Sequence, residues 1–325
     1  MRSYLSLVLI SLREIIRQPF YLLALGAGSF LIIASPAFTL FTFYNAQILV
    51  MDMGLSTILV VQLLLGILSS VLIVGREMEE KTTMILLSKP ISRLTFLLAK
   101  FTALTLSLFL ILIPLISLLI MTLRLGVPEA AYSPVEYSVL WMEFLPFIIA
   151  GVIAGLANYY ADKNFSSLFT VSLAILFPLF LFLLSLLDEE FKFNPFKVKM
   201  HFELIKPALF LWWGASLFSS LTLVFSLSGR IVLSLTLSLI ILLLGLSSES
   251  LWGRLAEKEV WARILHITLP NLQLFWVQDY WEKDKTIPLT YIFHLLRYTI
   301  FYSLGIILIG WGFWERREVG VGRKG

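Results

Sequence analysis

The chain has 325 residues, 59% of them hydrophobic and 14% charged, against about 25% charged residues in a soluble globular domain, and its mean hydropathy is +0.91. That balance reads as a polytopic membrane protein forming one integral domain over residues 1–325, all-α, a bundle of membrane helices. The chain has no cysteine and a net charge of +4, which excludes disulfides, thiolate metal sites and cysteine nucleophiles and gives no basic stripe for nucleic acid.

Residues 1–18 lack a small-residue cleavage site after a short apolar core and predict an amphipathic surface helix. Leu5, Val8, Leu9, Leu12 and Ile16 fall on one face, and Arg2, Ser6, Arg13 and Arg17 on another. Pro19 opens the first crossing, where its missing N–H costs little. Apolar runs predict about eight spans, at 19–44, 55–74, 94–123, 138–160, 166–187, 207–228, 231–247 and 291–314. Lysines and arginines concentrate in 1–18, 75–93 and the tail 315–325, so both termini and the 75–93 segment are expected on the cytoplasmic side. The loop 188–206 would then be external although it carries Lys192, Lys197, Lys199 and Lys206. Residues 248–290 mix charges with Trp252, Trp261, Phe275, Trp276, Tyr280 and Trp281, a composition suited to the membrane–water interface. They predict one or two external helices lying on the outer leaflet or dipping into it.

Gly75 to Arg93, GREMEEKTTMILLSKPISR, holds three acidic and four basic residues between two apolar runs. Arg76 to Leu87 can form about three helical turns, and Pro90 disfavours helix at Lys89. A short helix joining two spans transmits a push to both. The pattern Glu77, Lys81, Thr82, Leu86, Leu87, Ser88, Lys89, Pro90, Ile91, Ser92, Arg93, with Lys100 in the next apolar run, resembles the first cytoplasmic loop of ABC-2-type transporter permeases. The N-terminal helix resembles that family's elbow helix, and the stretches Leu269–Trp276 and Gly310–Val319 fit the same picture. The family core has six spans, so an extra pair is expected within 138–228.

The resemblance implies a permease subunit, an exporter, in the plasma (inner) membrane. Its 75–93 helix would dock on an ABC ATPase through Glu77, Glu80, Lys81, Thr82, Leu86, Leu87, Ser88, Lys89, Pro90, Ile91 and Arg93. A second permease protomer would complete a homo- or heterodimer in the lipid bilayer. The external segment would line or gate the outer end with Pro270, Asn271, Phe275 and Trp276. No G-x-x-x-x-G-K-[ST] phosphate loop occurs, so no catalytic residue and no bound cofactor are expected in this chain; ATP and Mg would belong to the partner ATPase.

The other constellations read as structural. His201, His266 and His294 show no paired ligand spacing, and Met51-Asp52-Met53 with Met200-His201 reads as packing before a soft metal site. Gly214-Ala215-Ser216 reads as a helix contact. Glu143 and Arg297 lie near span ends and are expected to snorkel to the headgroups. Two rival functions are an ATPase-independent transporter or channel, which would need charged or broken helices near the midplane, and a membrane anchor that recruits a cytoplasmic partner.

Overall fold

The computed structural model describes residues 2–39, 46–79, 92–125, 136–188, 192–195, 197, 198, 200–248, 255, 259–277 and 287–321. Nearly all of them are helical. In chain order the helices are α1 (Arg2–Arg17), α2 (Pro19–Phe38), α3 (Ala46–Glu79), α4 (Arg93–Arg124), α5 (Tyr137–Ala161), α6 (Phe165–Ser185), α7 (Ile205–Ser226), α8 (Ile231–Leu246), α9 (Val260–Thr268) and α10 (Leu289–Val321). Seven helices among the described residues are long and apolar enough to cross a membrane: α2 to α7 and α10. The eighth predicted span, 231–247, forms α8 with 16 residues, about 24 Å of helix against a hydrocarbon core of about 30 Å.

The structure shifts several boundaries. The second span begins at Ala46 and not at 55, because Asp52 and Gly54 lie inside a helix instead of ending a loop. Gly54 is needed there for space: a Cβ would run into the side chain of Leu119. The last helix begins at Leu289, which places Arg297 in its third turn on an exposed face. The chain groups into two compact units. One comprises Met1–Ile15, Leu63–Leu106 and Phe210–Gly325; the other comprises Ile16–Gln62 and Ser107–Leu209.

In the second unit α5 and α6 form an antiparallel hairpin. Asp162 turns the chain with φ 48°, and the Asn164 side chain caps α6 by accepting the Ser167 N–H at 3.0 Å. Tyr159 and Tyr160 flank this turn, both about four-fifths exposed, as suits an interfacial end. At the far end of the hairpin the buried Arg124 guanidinium gathers three segments. It donates to the Leu184 carbonyl, to the Asp188 carbonyl at 3.1 Å and to the Glu136 carboxylate at 3.4 Å. A buried cation is tolerated when its donors are met and a carboxylate lies beside it.

In the first unit α1 buries part of the predicted apolar face, Val8 and Ile16, together with a neighbouring flank. Leu7, Val8, Ser11 and Ile15 are buried, while Leu5 and Leu9 are about half exposed. The helix has two apolar flanks, and tertiary contacts select the one that lets Tyr4 Oη meet Thr102 Oγ1 at 2.6 Å.

Replacing Arg124 with Met would leave the Leu184 and Asp188 carbonyls and the Glu136 carboxylate without their cation. We expect a loss of roughly 3–5 kcal/mol, read as a clear drop in the thermal unfolding midpoint of the purified protein in detergent.

Candidate functional site

The end of α3 is the first candidate. α3 leaves regular geometry over Ser70–Gly75, a π-helical stretch, and resumes α-helix over Arg76–Glu79. Such stretches shift the helical phase and recur at functional positions. Ser70 is held by the Thr222 hydroxyl of α7 at 3.0 Å. Gly229, with φ +66°, turns the chain between α7 and α8 beside Met78 and Glu79.

Two charges of the Glu77–Lys100 pattern, one from the loop and one from the following span, are brought together here. Lys100, 4% exposed, donates to Glu77 Oε1 at 2.6 Å. Its Nζ also lies 4.0 Å from Glu14 Oε2 of α1 and 5.5 Å from the Phe96 ring centre. The lysine therefore ties the surface helix, the end of α3 and the start of α4. Arg93 sits 5.5 Å above the Trp314 ring and donates to the Trp314 carbonyl at 3.5 Å, which fastens the start of α4 to α10. Glu80, Lys81, Thr82, Leu86, Leu87, Ser88, Lys89, Pro90 and Ile91 lie outside the described residues. Of the predicted docking residues, Glu77 and Arg93 are thus the two with described surroundings, and both anchor the stem.

The second candidate is the segment 259–277. α9 ends at Thr268 and a 3-10 turn follows at Leu272–Phe275. Three tyrosines of α10 hold the non-helical backbone. Tyr302 Oη donates to the Thr268 carbonyl at 2.8 Å, Tyr298 Oη accepts the Asn271 N–H at 3.1 Å, and Tyr291 Oη donates to the Leu274 carbonyl at 2.5 Å. Tyr302 lies about 20 Å along α10 from Leu289 at 1.5 Å per residue. The segment therefore reaches the middle of the last span before it returns. Backbone off the helical path at that depth needs internal partners, and the tyrosines supply them.

The Asn271 side chain caps the turn by accepting the Gln273 N–H at 3.1 Å, and Gln273 Nε2 donates to the Leu246 carbonyl of α8 at 2.8 Å. Phe275 is buried against Gly214, where a Cβ would come within 2.8 Å of its ring. Gly214 thus serves a helix–segment contact, in line with the packing role read from the sequence. Of the four predicted gate residues, Pro270, Asn271 and Phe275 are buried and Trp276 is half-buried; all four stand in this one segment. Tyr291, Tyr298 and Tyr302 were missed. Their spacings of seven and four residues place them on one helix face, and that was the available signal.

Glu143 departs from the expected snorkelling position. It is fully buried on α5, both carboxyl oxygens lack a hydrogen-bond partner, and the Thr122 side chain stands beside it. The helix begins at Tyr137, so Glu143 lies two turns in and faces the interior, out of reach of the headgroups. His201 bonds Gln47 Nε2 at 2.7 Å and Glu203 Oε1 at 3.0 Å. Among the described residues no group of three or more His, Cys, Asp or Glu stands together.

The sequence matches no family model, and neither a curated protein nor a solved structure matches the chain.

Two outcomes follow from this geometry. Tyr298→Phe leaves the Asn271 N–H without its partner, which costs about 1–3 kcal/mol; hydrogen exchange at Asn271 and its neighbours will rise while that of α6 stays unchanged. Lys100→Met alone strands Glu77, so the double variant Glu77→Gln, Lys100→Met will be more stable than Lys100→Met in a thermal melt, a non-additivity expected of a buried pair.

Proposed function

We propose that the chain is the membrane subunit of an ATP-driven exporter of the ABC-2 permease type, working with a separate ATPase. The observation that carries the reading is the Glu77–Arg93 sequence pattern between two spanning helices. Its stem supports a mechanical role. Lys100 bridges Glu77 and Glu14, and Arg93 grips Trp314, so force that reaches Glu77 and Arg93 would pass to α1, α3, α4 and α10. The ATPase would bind and hydrolyse ATP with Mg; this chain would supply the docking loop and the helices that move. A second protomer would complete the path.

In this reading the segment 259–277 gates the end opposite the loop. Its hydrogen bonds to three tyrosines of α10 make its position depend on that helix. Movement of α10 would be felt at Pro270, Asn271, Phe275 and Trp276 through Tyr298 and Tyr302. Glu143, a buried carboxylate with no cation beside it among the described residues, favours the rival reading of an ATPase-independent transporter, since an ionisable group inside the bilayer is a functional candidate.

The orientation follows from the basic residues near the termini and the loop. Both termini on the cytoplasmic side require α8 to cross with the other seven helices, despite its length.

Affinity purification in mild detergent, followed by mass spectrometry, tests the coupling. An ATPase is expected with the wild type and lost from Glu80→Arg, Leu87→Asp; its absence even after cross-linking would overturn the reading. Because the chain has no native cysteine, single cysteines at positions 3 and 320 report topology directly. Both are expected to react only from the cytoplasmic side, and labelling of the two from opposite sides would show that α8 does not cross.

A further inference from the structure

Within the first unit, α7, α8 and α10 leave a cleft of about 530 Å³, within the ~300–1,000 Å³ range of small-molecule sites. Its walls are apolar: Leu221 and Val224 of α7, Leu237 and Ile241 of α8, and Ile306 and Phe313 of α10. Phe313 is 68% exposed, so the cleft opens sideways, towards the lipid of a chain that crosses the membrane.

The two ends of the cleft differ. One is closed by Thr268 and Tyr302, whose polar atoms are spent on each other and on the Ile264 carbonyl. The other end is lined by Ser228 and Trp314. The twelve steps along the helix from Tyr302 to Trp314 give a length of about 18 Å, close to the ~15 Å depth of one leaflet, half of a ~30 Å hydrocarbon core.

Cations stand at the Ser228–Trp314 end. Arg93 lies over the Trp314 ring. Arg230, whose N–H donates to Ser228 Oγ at 3.2 Å, is exposed, and so is Arg316, two residues beyond Trp314. The exposed acids nearest in sequence are Glu79 and Glu315, so arginine is in excess once Arg76 is counted. An apolar trough one leaflet long, open to lipid and lined with arginines beyond its Ser228–Trp314 end, suits one kind of occupant: a chain with an anionic head. Basic residues at that depth attract anionic headgroups.

We propose that this cleft is a binding site for one acyl chain of an anionic phospholipid, with the phosphate at the Arg230–Arg316 end and the chain terminus against Thr268 and Tyr302. The site lies between the helix that bears the tyrosine contacts and the short helix α8. A bound chain would fill space that α8 leaves open, and the proposal stands whether or not the protein works with an ATPase.

The test uses the full-length protein in nanodiscs that contain phosphatidylglycerol or phosphatidylcholine with a photoactivatable diazirine on the acyl chain, with labelled peptides mapped by mass spectrometry. The expected result is labelling concentrated in 221–241 and 302–314 and at least fivefold stronger from phosphatidylglycerol. Ile306→Trp, which fills the trough, will reduce it at least tenfold in protein that remains monodisperse. Arg230→Gln with Arg316→Gln leaves the apolar walls intact and will remove the headgroup preference, which keeps the test decisive if the tryptophan variant fails to fold. Labelling of the exposed α5 face around Ile148 and Val152 as strong as that in the cleft would overturn the site, as would undiminished labelling of folded Ile306→Trp. Equal labelling by the two lipids would overturn the anionic headgroup.

Discussion

Backbone amides and carbonyls have no partners in hydrocarbon, so every residue at membrane depth must be helical or be bonded by the protein itself. The segment from Thr268 to Trp276 packs beside the middle of the spanning helix α10 without regular α-helix of its own. Its backbone groups are met by Tyr291, Tyr298, Tyr302 and the Asn271 side chain, and the Gln273 side chain ties the segment to the Leu246 carbonyl of α8. The three tyrosine bonds require α10 to stand at a fixed register against the segment. Gly214 and Gly245 make room for it: a Cβ on Gly245 would lie 2.8 Å from the Pro270 carbonyl. The lengths and faces of α7, α8 and α10 are thereby tied to one irregular stretch, and the cleft they leave is a consequence of that arrangement.

Buried charge obeys a related rule. Lys100 and Arg124 lie near opposite ends of α4, and both are at least nine-tenths buried. Each is matched by carboxylates, Glu77 and Glu14 in one case and Glu136 in the other. Such pairs seldom add much net stability, but breaking one is costly. They fix which helix ends meet. Lys100 is the more consequential for function, because the helix ends it joins flank the Glu77–Arg93 loop on one side and the N-terminal helix on the other. Glu143 lacks such a match, and this sets it apart from the other buried charges described.

Much of this was legible in the residues. Apolar runs of about 20 residues located the spans, since hydrocarbon thickness fixes the length of a crossing helix. The charged pattern before Pro90 marked the loop, and the aromatics of 248–290 marked the segment that dips beside α10. Other features were not legible. Asp52 and Gly54 look like a loop in sequence, yet they continue α3, and the glycine there lets Leu119 pack against the helix backbone. α1 offers two apolar flanks of similar character, and its periodicity alone pointed to Leu5 and Leu9 where the fold buries Leu7 and Ile15. Glu143 near a predicted span end looked free to reach water, but only the facing of α5 decides whether it points outward.

Composition, run length and local motifs therefore determined that this chain is a helical membrane protein, roughly where it crosses and which loop carries concentrated charge. These properties depend on transfer of side chains into lipid, which is close to additive along the sequence. The tertiary structure decided which face each helix buries, that Lys100 joins Glu77 and Glu14, that three tyrosines hold the segment after Thr268, and that a cleft remains between α7, α8 and α10. Those outcomes arise from contacts between residues distant in the chain, where one glycine or one hydroxyl sets the distance of approach, and no local pattern encodes them.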